Sequence, residues 1–332
     1  MPPSTSRAVI DTAAAGVDVN AIRTLVHKRL PQNVLLTDLR ASGGGHFVCS
    51  GRMPTDHQLF NEGTRTPRED ILFYTEVGRQ ASVAVSHAFL DVSLDDVFIF
   101  EGSQATMTDA VWRFPLASPP PPVAIEIKVR ETIRRKNAVS RVVADHHMTI
   151  GAEQVFSGTG TWSIQPAALF KRLRRTSVEA GLLGSPDPVG TANAADADPR
   201  APFPGNVVIS PAEYRQDGAE VTASLIVDRT HPFFFDHPCD HVPGMLLLEG
   251  CAQLALGALA GSGVAASLRP AVVAYDVNFA QFVECGPPTI LTARLTEDHR
   301  NAAGAIHPPI EIVISQCGVV AGTARMRIGL PV

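Results

Sequence analysis

The strongest constraint on this 332-residue chain is a pattern that occurs twice: one long apolar helix followed by a meander of strands. In the first half, Ile71, Leu72, Val77, Ala81 and Ala84 recur at roughly helical period after Asp70. Strand-like runs follow at 97–107, 123–134, 138–149 and 151–164, with strand-like stretches before the helix at Val34–Leu36 and 46–53. In the second half, short strands at 207–210 and 221–228 precede a helix over about 245–260. Strands at 271–282, 289–296, 310–316 and 319–328 come after it. Local matches support a duplication. Glu76-Val77-Gly78-Arg79-Gln80-Ala81 aligns with Glu249-Gly250-Cys251-Ala252-Gln253-Leu254, and Asp56-His57 precedes the first helix as Asp240-His241 precedes the second.

A helix wrapped by an antiparallel sheet, in two tandem copies, is the pattern of an α+β double hotdog fold, in which each helix covers the apolar face of its sheet. The expected organisation is a flexible N-terminus over 1–25, a first hotdog unit over 26–170, a partly disordered linker over 171–206 and a second unit over 207–332. The linker assignment rests on the Gly, Pro, Ala and Asp content of 182–206. The cluster Lys171-Arg172-Leu173-Arg174-Arg175 before it reads as a solvated helix face. The two sheets are expected to join and to build sites at the seam.

Composition narrows the function. Hydrophobic residues make up 45% of the chain and charged residues 18%, enough for a large packed core. The net charge of −5 offers no basic excess for a nucleic-acid backbone. Five cysteines without a CxxC pair argue for a reducing cytoplasm and against a structural zinc site. Neither a secretory signal nor a membrane span is apparent, because Glu249, Gln253 and several glycines interrupt the longest apolar stretch.

The chemistry concentrates in Phe235-Asp236-His237-Pro238-Cys239-Asp240-His241-Val242-Pro243-Gly244-Met245-Leu246-Leu247-Leu248-Glu249. Titratable groups beside an apolar helix wall are where pKa values shift and acid–base chemistry is done. Plain alternatives stand beside this reading. Glu249 could be a structural carboxylate, His241 and Asp240 could cap the helix start, and Arg79 could be a salt-bridge partner of Glu76. No GxSxG elbow is present. Cys239 as a nucleophile and a His237/Asp240/His241 metal site are the weaker readings, and no metal or cofactor is expected. His146 and His147 are adjacent on a strand and must face opposite ways.

The segment from His231 to Glu249 resembles the signature of the A-factor biosynthesis hotdog family, the γ-butyrolactone autoregulator synthases of filamentous actinobacteria. Val26-His27-Lys28, Val34-Leu35-Leu36-Thr37, Asp56-His57, Asp70-Ile71-Leu72, Glu76 and Arg79-Gln80-Ala81 extend the resemblance into the first half. One departure stands out: before the Gln of the second helix, where this family carries an Arg, this chain has Ala252. The resemblance implies an acyltransferase that joins a β-ketoacyl group, carried as an acyl-carrier-protein or CoA thioester, to a hydroxyl of dihydroxyacetone phosphate. The implied catalytic set is Glu249, His237, His241, Asp240, Glu76 and His57. The implied substrate-binding set is Arg79, Gln80, Gly244, Met245, Gln253 and Asp56, with Arg79 on the acceptor's phosphate. By likeness to hotdog dehydratases, His57 would work with Glu249, and His237 or His241 with Glu76. The alternatives are a dehydratase or thioesterase, or a non-catalytic ligand-binding or docking protein. The chain would act in the cytoplasm as a monomeric pseudo-dimer or a homodimer.

Overall fold

A computed structural model describes residues 19–61, 65–114, 119–179, 204–215, 219–237, 239–261, 270–296 and 308–329. The strands are β1 (Leu36–Gly43), β2 (His46–Gly51), β3 (Val97–Met107), β4 (Val123–Arg135), β5 (Ala138–Ile150), β6 (Glu153–Gln165), β7 (Glu213–Tyr214), β8 (Glu220–Ser224), β9 (Ala271–Phe279), β10 (Thr289–Arg294), β11 (Ile310–Gln316) and β12 (Val319–Gly329). They form one antiparallel sheet in the order β1-β2-β4-β5-β6-β3-β9-β12-β11-β10-β8-β7. Read from either edge, that order is the same topology: β1 to β6 of the first half map onto β7 to β12 of the second. The duplication seen in the sequence is therefore a pseudo-twofold in space, and its axis passes between β3 and β9.

Two long helices fill the concave face. The first, α2 (Ile71–Phe89), starts where the Asp70 carboxylate accepts the Leu72 N–H at 2.9 Å, an N-cap. The second, α4, spans Gly244–Gly261. Both are buried along most of their length, as helices wrapped by a sheet must be. The strands show the matching alternation. On β4, Val123, Ile125 and Ile127 face the core while Ala124, Glu126 and Lys128 face out. The β4–β5 hairpin closes through Lys136 and Asn137, both at positive φ, which suits the twist of a two-residue turn.

The seam is tight. β3 pairs with β9 from Gly102↔Asn278 to Thr106↔Ala274. A Cβ on Gly102 would meet the Val277 carbonyl at 2.6 Å, so only glycine permits this approach. The α4 N-terminus leans across the seam in the same way: a Cβ on Gly244 would meet the Phe100 ring of the first half at 2.6 Å. Gly244 is thus a packing residue at the position where substrate contact was expected, and the helix begins there rather than at Met245.

Three expectations need correction. Residues 19–25 are not a frayed terminus but a further helix, α1 (Val19–Leu25), whose Ile22 and Leu25 are buried together with Val26 against α2. The remaining helix, α3 (Ala167–Glu179), is not a uniformly solvated basic face. Lys171, Arg172 and Arg175 are exposed, but Arg174 is buried and donates to both Glu284 oxygens at 2.7 and 2.6 Å and to Asp240 at 3.0 Å. The expected 207–210 strand reduces to one bridge, Ile209↔Leu225. Of the partly disordered stretch expected over 182–206, Pro204–Asn206 form a 3-10 turn and 182–203 lie outside the described residues. Among the described residues, no helix is long and apolar enough to cross a membrane.

Candidate active site at the seam

Each long helix carries a carboxylate and, four residues on, a glutamine. The two pairs are wired identically. The Gln80 amide nitrogen donates to Glu76 Oε1 (2.9 Å) and to the Asn33 carbonyl (2.8 Å), and Gln80 Oε1 accepts the Leu35 N–H (2.9 Å). Gln253 repeats this with Glu249 (2.8 Å), the Asn206 carbonyl (2.7 Å) and the Val208 N–H (3.0 Å). All their polar atoms are thus engaged in fixing an entering loop and a carboxylate. The two glutamines are positioning residues, not substrate ligands.

The halves also lock each other's loops. Asn33 donates to the Pro232 carbonyl at 2.8 Å, and Asn206 donates to the Gln58 carbonyl at 2.8 Å. His57 Nδ1 accepts the Leu59 and Phe60 N–H groups (3.1 and 3.4 Å), and His231 Nδ1 accepts those of Phe233 and Phe234 (3.2 and 3.3 Å). The pseudo-twofold mate of His57 is therefore His231, not His241. Both Nδ1 atoms organise a turn; His57 Nε2 is buried with no hydrogen-bond partner among the described residues, and the charges acting on that ring are Lys28, Glu76, Arg52 and Arg65 rather than Glu249. Asp56 is exposed on the same turn, away from the buried carboxylates.

The surroundings of the two carboxylates then diverge. Glu76 is fully buried, accepts two hydrogen bonds from Arg79 (2.7 and 2.8 Å) and faces the Lys28 ammonium at 3.2 Å. Burial alone would raise its pKa, but the Arg79 and Lys28 charges and their hydrogen bonds overcome that and hold it well below the usual carboxylate range. Asp236, from the second half, accepts the Arg29 and Leu30 N–H groups at 3.0 and 2.9 Å and adds its charge beside Lys28 and Arg79. His237 follows it. Its Nδ1 is buried with no hydrogen-bond partner among the described residues. Burial first, then the Arg79 and Lys28 charges, push its pKa down to about 4, so the ring is neutral at physiological pH. Beside it, His27 and His87 share an Nε2···Nε2 contact of 2.9 Å, and His27 sits at φ 57, a strained backbone for a non-glycine residue.

Glu249 has a different partner. Arg65, from the loop before α2, donates to both of its oxygens at 2.8 and 3.0 Å and to Asp70 at 2.6 Å. One guanidinium between two carboxylates thus closes a buried ion triad across the seam. Ala252 stands where the first half has Arg79. Six residues past the turn histidine, the second half has His237 where the first half has Gly63.

His241 and Asp240 form a third cluster beside α3, apart from both carboxylates. His241 Nδ1 lies 2.7 Å from Asp240, and Cys239 Sγ lies 3.7 Å from the same nitrogen. Burial opposes protonation of His241, but Asp240 and Cys239 outweigh it and push its pKa up to about 9. A cationic imidazolium is no general base, which leaves His237 rather than His241 for the expected partnership with Glu76. Cys239, Asp240 and His241 do offer three ligand atoms within 4.8 Å of one another. With Arg174 on Asp240 and a charged His241, that cluster is poorly suited to a cation.

An apolar pocket of about 100 Å³ opens beside Arg79, between α2 and the seam. Thr75, Gly78, Arg79, Ser82 and Val83 line it from one stripe of α2, Phe98, Phe100 and Trp162 from the sheet, and Met245 from α4. Of the expected site residues, this geometry brings Glu76, Arg79, Met245 and His237 together. Sequence reasoning missed Lys28, Asp236 and Arg65 as charges of the site, and Ser82 and His146 as pocket residues.

The histidines also predict acid sensitivity. Burial lowers the pKa of His57, His146 and His231 to about 4 each, against an ordinary value near 6.5. The folded protein therefore binds fewer protons than the unfolded chain across that window. Stability is full above pH 6.5 and is lost as pH falls toward 4, by about 3 kcal/mol for each such histidine. Denaturant midpoints measured from pH 7 to 4 should fall steeply. A flat profile would show that these rings are not buried neutral.

The geometry defines a tandem hotdog fold whose two seam carboxylates, Glu76 and Glu249, have different partners. The A-factor biosynthesis hotdog domain model matches residues 11–165 and 204–330, and the chain belongs to that family. It is similar to the 2-oxo-3-(phosphooxy)propyl 3-oxoalkanoate synthase of Streptomyces virginiae, at 27% identity over 70% of this chain and 75% of that protein. The enzyme of the same description from Streptomyces coelicolor is also 27% identical, over 70% of each chain. The Streptomyces griseus enzyme is 25% identical over 80% of this chain and 82% of its own. Among solved structures, a tesB protein of Mycobacterium avium subsp. paratuberculosis aligns with 95% of this chain at TM-score 0.49 and 12% identity.

Proposed function

We propose that this chain transfers a 3-oxoacyl group from an acyl-carrier-protein or CoA thioester to a hydroxyl of dihydroxyacetone phosphate, in the cytoplasm, and does so at the Glu76 site alone. The observation that carries this reading is the unpartnered Nδ1 of His237, brought from the second half to the Glu76–Arg79–Lys28 cluster of the first, where Arg79 lines an apolar pocket. Family membership supplies the reaction class. The names of the relatives describe an ester of a 3-oxo acid with a phosphorylated three-carbon alcohol.

The chemistry balances with groups the site itself supplies. The acceptor oxygen attacks the thioester carbonyl, and its proton passes to His237. The oxyanion faces the α4 N-terminus, where the Met245 N–H lacks an intrahelical acceptor and the helix dipole is positive. The C–S bond then breaks, and the departing thiolate takes the proton back from His237. Glu76, fully ionised, holds Arg79 and Lys28 in place. Arg79 presents a partly exposed guanidinium to the acceptor phosphate: its side chain is 29% accessible while that of Glu76 is 1%. The Arg65–Glu249–Asp70 triad is structural in this reading.

Mass spectrometry of products from purified protein, a 3-oxoacyl thioester and dihydroxyacetone phosphate tests it. The phosphorylated ester is expected. Free 3-oxo acid, or an enoyl product from a 3-hydroxyacyl thioester without acceptor, would instead identify a thioesterase or dehydratase. A kinetic split follows. Arg79→Ala should raise the acceptor's apparent KM about ten- to a hundred-fold, as loss of a charge-assisted hydrogen bond of about 1.5–3 kcal/mol implies. The donor KM should stay nearly constant, and Arg79→Lys should recover only part of the loss, because it lacks the planar fork. Unchanged acceptor KM in Arg79→Ala would reduce Arg79 to a helix salt bridge with Glu76.

A further inference from the structure

The pocket beside Arg79 is more polar than a hydrocarbon chain requires. Most of its polar groups satisfy one another. The Thr75 and Tyr275 hydroxyls are 3.0 Å apart, Tyr275 and Ser103 are 3.2 Å apart, and Thr75 also donates to the Ile71 carbonyl at 2.8 Å. Ser82 Oγ lies 2.6 Å from His146 Nε2, with both residues buried. Trp162 is the exception. It lines the pocket, its side chain is more than nine-tenths buried, and its Nε1 has no hydrogen-bond partner among the described residues. A buried indole N–H without an acceptor is costly, so each such group calls for an explanation. A ligand acceptor in the pocket is one.

Position says which acceptor. Ser82 follows Arg79 by three residues on the same face of α2, about 5–6 Å further along the helix. A thioester carbonyl placed between His237 and the α4 N-terminus, with the acceptor phosphate on Arg79, puts its 3-oxo oxygen two carbons further into the pocket, toward Ser82. Gly160 keeps that wall close: a Cβ there would meet the benzo edge of Trp162 at 3.3 Å and the His146 ring at 3.5 Å, so it is the carbocyclic edge of the indole that lies on the His146 side. We propose that this pocket reads the 3-oxo oxygen of the acyl donor, with the Trp162 N–H as hydrogen-bond donor and the Ser82–His146 pair as a second polar group of the same lining. The inference rests on the acyl-transfer reading for the identity of the donor. Burial lowers the His146 pKa to about 4, so the ring is neutral and acts as a hydrogen-bonding partner rather than a charge. A saturated chain would leave the indole N–H unpaired, and the pocket therefore discriminates by chemistry rather than by length.

Calorimetric titration of 3-oxohexanoyl and hexanoyl pantetheine thioesters, without acceptor, tests the pocket separately from transfer. Wild type should bind the 3-oxo compound at least ten-fold more tightly. Trp162→Phe keeps an aromatic ring and removes the N–H, and should shrink that preference to about two-fold or less. Ser82→Ala should reduce it in the same direction, and carries the test should Trp162→Phe fail to fold. No preference in wild type, or an undiminished preference in the folded variants, overturns the proposal. A protein that shows the preference but forms no phosphorylated ester would sink the transfer reading and leave this one standing. One that forms the ester without the preference would sink this one alone.

Discussion

His237→Gln is expected to fold normally and to lose acyl transfer by about 10²–10⁴, the range for removing a general base. The amide matches part of the imidazole's shape but cannot take a proton from the acceptor hydroxyl. His237 makes no hydrogen bond through Nδ1 that the fold would miss, so stability should change little. Burial and the neighbouring cations hold the resting ring neutral, with a pKa of about 4, which leaves the nitrogen free as an acceptor. A bound phosphate dianion adds negative charge beside Arg79 and Lys28 and raises the basicity of the ring when the substrate is in place. Single-turnover kinetics with both substrates bound checks this. Wild-type rates in His237→Gln would remove the residue from the chemistry.

Glu249→Gln should behave in the opposite way. Arg65 spans from Asp70, the N-cap of α2, to Glu249 on α4, and its side chain is only 13% exposed. Neutralising Glu249 leaves a buried guanidinium with one carboxylate instead of two. Breaking a buried ion pair by removing one partner costs about 3–5 kcal/mol. The loss should appear as a lower denaturant midpoint, and Arg65→Met with Glu249→Leu, which removes both charges, should restore part of it. Transfer per folded molecule should stay near wild type. A stable, inactive Glu249→Gln protein would return the second carboxylate to the mechanism.

The fold was legible where strands are long and alternate. The expected bounds of β3 and β11 match the observed ones, Val97–Met107 and Ile310–Gln316. Legibility failed where tertiary contacts override local pattern. Val34 and Leu35 read as a strand because they are apolar, yet β1 begins only at Leu36, and the Leu35 N–H is satisfied by the Gln80 side chain. α1 is seven residues long, too short to show a period, and its helix is fixed by packing on α2. In the site, Glu76, Arg79 and His237 stood out by residue type beside an apolar helix. Their wiring did not. Arg65 and Glu249 are 184 positions apart, and Arg29 and Asp236 are 207 apart, so no local motif links them. The mismatch of His57 with His241 has the same origin. Asp-His occurs five times in the chain, so pairing Asp56-His57 with Asp240-His241 has no unique support, whereas the shared role is an imidazole accepting two backbone N–H groups, which His57 shares with His231.

The central claim is that a fold with two pseudo-equivalent seams keeps its chemistry at one. The measurement that tests it most directly is the yield of phosphorylated 3-oxoacyl ester, by mass spectrometry, from Glu76→Gln and Glu249→Gln side by side. Both are assayed below their unfolding transitions and normalised to folded protein. The account predicts ester from Glu249→Gln and almost none from Glu76→Gln. Ester from Glu76→Gln with none from Glu249→Gln would contradict it.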